Sequence, residues 1–341
     1  MRFRAGILLL AADGMGTREI GRVMGCATGT VSKWRVRYAR DRLAGFDETG
    51  RVYSCRRACL NLNREPRAMA NATTPKVHMG TLTGDEARAI YATNPVILLP
   101  MGSHEDQGPH APMGDYLLAE KIAELAALRA TGMGTPTLVA PVVPFGGADF
   151  FGSMVGGIAM SEATLTSLLR DMFASLHRHK LTRLIVINGH GGNVGPIQVA
   201  TREMHRATGM LIPSLYLWRI GYGLLPGIVG AENSRLVSGH GADPLTSVGL
   251  HLFPEAMRPD MIPAPAPAKR NAALDLAYTS LGAASFEGAE IGLPTEYDEV
   301  YNKGVGNGDP NLSSAETGAA LVERLVTICA RFARHFATRM A

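Results

Sequence analysis

Cysteine is scarce in this chain, with four in 341 residues at Cys26, Cys55, Cys59 and Cys329. Spread so thinly, they frame no disulfide scaffold. Cys55 and Cys59 have no second pair to complete a zinc knuckle, so free thiols of a reducing cytoplasm are expected. No apolar stretch approaches the roughly 20 residues that span a bilayer. The short run at 7–12 is followed by Asp13-Gly14 and Arg18-Glu19 without a small-residue cleavage site, so it is not read as a signal peptide. A G-x-S-x-G elbow and a reactive-cysteine context are also missing, which leaves covalent catalysis with little support. What is present is 46% hydrophobic and 19% charged residues, the composition of a globular protein with room for a sizeable core.

The formal net charge of +4 conceals an asymmetry. Residues 1–68 carry fourteen Lys/Arg against six Asp/Glu, and the remainder twenty against twenty-four. The basic part suits a polyanion. Residues 5–12 are apolar enough for a first helix, Thr17 can cap a second over 18–24, and Gly25 ends it. Thr28 or Thr30 starts a third, running to about Gly45. Ile20, Val23, Val31, Trp34 and Val36 form the expected shared core, with Lys33, Arg35, Arg37 and Arg40 outside. This pattern resembles a helix-turn-helix, in particular the N-terminal unit of insertion-sequence transposases, and implies duplex DNA as a partner of residues 1–46 alone. Residues 47–78 are Arg- and Asn-rich with weak periodicity and read as a linker. Met69 opens what looks like an ordinary beginning for an α/β domain. Residues 1–68 are therefore read as a transposon remnant, or an over-long start, joined to a complete enzyme.

From residue 79 to 341 the expected organisation is a single α/β domain. Strands at 96–101, 137–143, 184–187 and 210–217 alternate with helices opening at Thr83, spanning 117–130, capped at Ser161 and spanning 194–206. A closing helix covers 315–338 and a Pro/Ala loop 263–268. Strands alternating with helices imply βαβ units: a mainly parallel sheet with helices on both faces, preceded by the small all-α helix-turn-helix segment.

Three loops carry the chemistry. The first lies in residues 96–116, VILLPMGSHEDQGPHAPMGDY, where a continuous apolar run suited to a strand buried on both faces breaks into a Gly/Pro-punctuated loop. That loop bears His104, Glu105, Asp106, Gln107, His110 and Asp115, in the place where an α/β protein puts its site. The second is INGHGGN at 187–193, which delivers His190 into a glycine-rich turn before a helix. A phosphate cradle is the alternative for this turn, but the spacing is not G-x-G-x-x-G and a central histidine suits coordination better. The third is SGHGADP at 238–244, with His240 and Asp243 beside glycines. Carboxylates and imidazoles presented this way suggest a hydrolytic site for a divalent metal, with zinc, manganese and iron as candidates. Such an ion lowers the pKa of water and polarises a carbonyl.

GSHEDQGPHAPMGD, NGHGGN, HGADPLTS and GVGNGDPNLSSAETG, in that order, resemble the creatininase (creatinine amidohydrolase) family over residues 80–338. The resemblance implies a creatininase-like α/β fold and metal-dependent hydrolysis of C–N bonds in cyclic amides, formamides and peptides. It implies one or two divalent ions per subunit and a homo-oligomer, often a hexamer. By position, Glu105 matches a metal-binding glutamate of the catalytic set and His190 a metal-binding histidine. Asp115 matches the metal-bridging aspartate once one residue is deleted from the preceding loop. His240 matches a catalytic histidine serving the scissile nitrogen, and Trp218 falls where creatininase has a mobile tryptophan over the substrate.

The departures define the expectation further. The family usually reads Glu-Gln-His where this chain has Glu105-Asp106-Gln107, so an amide replaces an imidazole. A further glutamate of creatininase falls on Gly192. Relatives with glycine there carry a glutamate after the catalytic histidine, for which Asp243 is the candidate, and Leu245 sits where the glutamate before Thr-Ser is usual. One ion held by Glu105, Asp115 and His190 is expected, with Asp243 or His110 completing the set. Gly191 stands for a tyrosine, leaving a roomier pocket, and the expected substrate is a small amide, lactam or formamide other than creatinine. Two other readings stay open: a DNA-binding regulator using the α/β domain as a ligand sensor, and a non-catalytic homologue that has lost its metals.

Overall fold

The computed structural model describes Ile7, Ala11 and residues 16–41, 75–264 and 269–340. The chain divides into two compact units, residues 1–71 and 72–341. In the first, α1 (Thr17–Val23) and α2 (Thr28–Asp41) are joined by a tight turn in which Gly25 takes a positive φ of 63°. Ile7, Ile20, Val31 and Trp34 are buried together, with Ala11, Met24 and Cys26 packed around them. Val23 and Val36, expected in this core, are 57% and 67% exposed. The helical phase explains Val36: Val31 and Trp34 are three apart on one face, and five residues after Val31 the chain has turned to the other. Most of the expected first helix, the greater part of the linker, Cys55 and Cys59 lie outside the described residues.

The second unit opens with an extended segment. The Val77 carbonyl accepts from Val139 N at 2.7 Å, so this stretch already flanks the sheet rather than belonging to a linker. α3 (Gly84–Tyr91) starts on a capping box in which Thr83 and Glu86 satisfy each other's backbone amides. Then follow β1 (Val96–Met101), α4 (Asp115–Gly132), β2 (Thr137–Val139), α5 (Glu162–Arg178), β3 (Leu184–Asn188), α6 (Val194–Thr208) and β4 (Ser214–Tyr216). The sheet order is β2-β1-β3-β4, all parallel. β2 and β4 are shorter than expected; beside β4, Pro213 offers no amide to extend the ladder.

Side-chain alternation fills both faces. Val96, Leu98, Ile185 and Ile187 pack with Leu118, Ile122 and Leu325 on one side. Ile97, Leu99, Met101, Leu184 and Val186 pack with Leu165, Leu169 and Phe173 on the other. That is why these runs read as continuously apolar. After β4 come α7 (Leu217–Leu224), α8 (Pro226–Val229), α9 (Ala231–Val237) and α10 (Leu245–Leu252). An antiparallel sheet then follows, β5 (Ala277–Ser280), β6 (Ala283–Phe286) and β7 (Ala289–Gly292), before α11 (Tyr297–Val300) and the closing α12 (Ala315–Arg339). This second sheet was not expected from the sequence. Among the described residues no helix is long and apolar enough to cross a membrane.

α12 approaches α10 through Gly318, where a Cβ would fall on the Ser247 carbonyl and lie 2.9 Å from the Cβ of His251. Gly132, at the end of α4, has nothing within 4 Å of the same position. Gly318→Ala is expected to cost about 1–3 kcal/mol of stability by overpacking. Gly132→Ala should be neutral or stabilise by roughly 0.5 kcal/mol, because it only restricts the unfolded chain. Urea unfolding of the two variants beside the parent measures both.

Candidate metal centre

The centre lies at the carboxyl ends of the two middle strands. β1 runs out into Gly102, where a Cβ would collide with the Asp115 carboxylate and the Tyr116 backbone. Glycine there lets the first turn of α4 sit directly on the strand end. The Ser103 amide then donates to Asp115 Oδ1 at 2.7 Å, which leaves Oδ2 turned toward the next loop. Glu105, on the same loop, accepts from Gln107 Nε2 at 2.9 Å through Oε1.

β3 delivers His190 from the other side. Its Nδ1 lies 3.1 Å from Glu105 Oε2 and 3.4 Å from Asp115 Oδ2, and its Nε2 lies 3.3 Å from the Gly147 carbonyl. All three side chains are buried, at 4%, 2% and 4% exposure for Glu105, Asp115 and His190. Their donor atoms lie within 4.8 Å of one another, the one such group among the described residues. Asn193 ties the loops together. Its Nδ2 donates to the Gly102 carbonyl and to Asn188 Oδ1, both at 3.1 Å, and its Oδ1 accepts from Gly147 N at 2.9 Å. The sequence reading passed over Asn188 and Asn193, although both flank the histidine in NGHGGN.

The electrostatics follow from the geometry. The Gly147 carbonyl can only accept, so it fixes the proton of a neutral His190 on Nε2 and turns the Nδ1 lone pair toward two carboxylates. Three electron-rich donors face one another in a buried space, an arrangement that calls for a cation. Without a metal the cation is a proton. Burial alone would lower the His190 pKa, but Glu105 and Asp115 outweigh it and raise it to about 10. Asp115 is raised, first by burial and then by the charge of Glu105, with His190 opposing. With metal–ligand bonds of about 2.1 Å, two ligands of one ion sit up to roughly 4 Å apart. The observed separations fit a single divalent ion bound by two carboxylates and one imidazole.

Other residues named from the sequence fall into two groups. Gln107, Gly191, Trp218 and His240 line one cavity of about 330 Å³ with the centre. The buried Gln107 Oε1 and Trp218 Nε1 have no partner among the described residues. His240 Nε2 lies 2.8 Å from the Asp106 carbonyl, which places its proton there and the basic lone pair on Nδ1. Burial lowers the pKa of this imidazole against opposition from Glu105. Phe151 stacks on it with 4.6 Å between centroids, and Tyr297 meets it edge-on at 5.3 Å.

Asp243 does not join the centre, which corrects the expectation that it completes the ligand set. Its carboxylate accepts from Ser247 N at 2.9 Å and Ser247 Oγ at 2.7 Å, and so holds the first turn of α10. His110 is also away from it, buried, with Nε2 at 3.1 Å from Thr246 Oγ1. Asp106 is a loop residue, accepting from Gly108 N at 2.7 Å. At Gly192 a Cβ would strike the Gly147 carbonyl and lie 2.7 Å from His190 Nε2, so no second acid fits beside the histidine. Tyr216, Tyr301 and Phe150, missed in the sequence, line the same cavity. Burial, then Tyr222, Asp115 and Glu105, push the Tyr216 phenol well above its usual pKa, so it stays protonated.

A family model described as creatinine amidohydrolase matches residues 80–333, and a homeodomain-like domain model matches residues 2–47. The mycofactocin precursor peptide peptidase of Mycobacterium ulcerans is 30% identical over 191 residues, covering 54% of this chain and 70% of that protein. The creatinine amidohydrolase of Pseudomonas putida is 33% identical over 140 residues, 38% of this chain and 53% of its own length, so the chain spans about half of that relative. A solved structure of creatininase with Mn superposes with a TM-score of 0.61 at 23% identity, covering 76% of this chain and 98% of that one.

Metal-free protein titrated with Mn or Zn should unfold at higher temperature, by about 2.7 kcal/mol of added stability when the ion is at 100 times its Kd. Glu105→Gln and His190→Ala should abolish the shift, as differential scanning calorimetry would show. Asp243→Asn should keep it from a less stable baseline.

Proposed function

Because this chain belongs to the creatinine amidohydrolase family, we propose that it hydrolyses the C–N bond of a small amide, with cyclic amides and formamides as the leading substrate classes. The observation that carries this reading is the convergence of Glu105, Asp115 and His190 on one point in the cavity that also holds His240. A divalent ion in that position, with Zn, Mn and Fe as candidates, supplies Lewis acidity and a lowered pKa for water. A single ion per subunit suits the residues: Gln107 offers an amide where an imidazole is usual, and position 192 has no room for an acid.

The chain's own groups would do the rest. Gln107 holds the Glu105 carboxylate in place through its amide proton. His240, neutral at pH 7 because burial disfavours its charge, takes a proton from water on Nδ1 and passes it to the departing nitrogen. Phe150, Phe151 and Tyr301 wall the cavity with rings that shed water. Its volume of about 330 Å³ exceeds what a formamide fills and lies within the range of pockets for drug-sized ligands. A peptide substrate is the second reading. It is favoured by this room and by the peptidase of Mycobacterium ulcerans among the relatives. A homo-oligomer, a hexamer in particular, belongs to the same proposal.

Residues 1–46 would contact duplex DNA. In α2 the side chains of Lys33 and Val36 are exposed and lie three residues apart on one face, giving a phosphate-binding group and an apolar group at one helix surface. Duplex binding should weaken steeply with salt and vanish when residues 1–68 are removed, as fluorescence anisotropy would measure. Binding that persists in the shortened chain would refute this assignment.

Purified protein supplied with Mn or Zn should turn over members of a panel of formamides, lactams and short peptides, and lose activity on chelation. His240→Ala should lower kcat by about 10²–10⁴ with metal content unchanged. Since burial holds the His240 pKa below its usual 6.5, kcat/KM should stay level at pH 7 and fall only below pH 6.5 as the imidazole gains its proton. Turnover that survives both chelation and Glu105→Gln would refute the mechanism.

A further inference from the structure

We propose that Tyr216 is a catalytic hydrogen-bond donor, its phenol hydroxyl aimed at the carbonyl oxygen of the scissile amide. The assignment rests on the reading of the site as an amide-hydrolysing centre. It starts from a vacancy in the sequence: the residue after His190 is Gly191, with no side chain to reach the substrate. A Cβ built on Gly191 would lie 3.2 Å from the Tyr216 hydroxyl oxygen. The space that a side chain at 191 would enter is thus occupied by a hydroxyl delivered from the neighbouring strand.

Sheet register makes this placement obligatory. Tyr216 ends β4 and pairs with Asn188, the last residue of β3, two residues before His190. Parallel strands in this register bring both side chains to the same edge, where the cavity opens. Arg219, in the first turn of α7, places its guanidinium 6.0 Å from the Tyr216 ring centroid and so favours one ring position.

Among the described residues the hydroxyl has no hydrogen-bond partner. Tyr216 lines the cavity with Glu105, Asp115 and His190, and its oxygen neither makes a hydrogen bond to a described residue nor belongs to the fully buried orphans. A protonated phenol in that position has a donor to give and only the cavity to give it to. During hydrolysis the water oxygen bonds to the carbonyl carbon, the C–N bond breaks and His240 carries the proton from water to nitrogen. Tyr216 keeps its proton throughout, and its hydrogen bond strengthens as the carbonyl oxygen gains negative charge. A donor of this kind acts on kcat.

Tyr216→Phe keeps the ring and its contact with Arg219 and removes only the oxygen. In the metal-supplied full-length protein, kcat should fall about 10²-fold with KM within twofold, as for loss of one oxyanion donor. Bound metal, by elemental analysis, and unfolding temperature should match the parent. Calorimetric titration with a phosphonamidate analogue of the amide that is turned over should show a comparable rise in Kd for the variant. A kcat and an analogue Kd within twofold of the parent would overturn the assignment and leave the proposed function standing, with Tyr216 a wall of the cavity. A parent protein that turns over no amide would instead remove the proposed function, and this assignment with it.

Discussion

A carbonyl and a glycine-lined turn decide which way one imidazole faces, and the rest of the centre follows. Because the Gly147 oxygen claims the Nε2 proton of His190, the Nδ1 lone pair meets the carboxylates of Glu105 and Asp115. Two buried anions and a lone pair at about 3 Å repel one another unless a positive charge sits among them. The arrangement is anchored on regular, hydrogen-bonded elements. The three groups are carried on the ends of β1 and β3 and on the first turn of α4, and Asn193 stitches their loops together. Such a concentration of donors takes up a cation, a proton on His190 where no metal is bound.

The second tier is aromatic rather than charged. His240 lies among Phe151, Tyr297 and Tyr301, and these rings lower its affinity for a proton while orienting it. The two histidines therefore sit in opposite environments within one cavity. His190, among carboxylates, holds positive charge readily, whereas His240, among rings, resists it. Two identical side chains in one cavity are given opposite affinities for positive charge by nothing more than their neighbours.

The parallel sheet is legible in the sequence because strands buried on both faces must be apolar at every position, as residues 96–101 and 184–187 are. The principal centre is legible because strand ends followed by Gly-rich loops are where such a fold carries reactive groups, and Glu105, Asp115 and His190 stand in those loops. Asp243 misleads: an acid near a cavity histidine and a helix start has two uses, and spacing alone does not distinguish ligation from holding Ser247. Val23 and Val36 mislead because short helices leave apolar residues outside when the shared core is small. β5, β6 and β7 go unread because strands of four residues, AYTS, AASF and AEIG, are too short to show an alternation. The local signals are glycines of positive φ in the two turns, Gly282 between β5 and β6 and Gly288 between β6 and β7. Tyr216 is invisible for a different reason, since only the pairing of β3 with β4 brings it beside a glycine 25 residues earlier.

The crowding at Gly192 bears on ancestry. Any side chain there must displace the Gly147 carbonyl, the very atom that sets the His190 tautomer. A lineage at this geometry cannot gain an acid at 192 in one step without first disturbing the orientation of the imidazole. Two or more substitutions would have to arrive together, with Gln107 among the positions to be exchanged. The glycine acts as a ratchet, making the present orientation of His190 easy to keep and hard to leave.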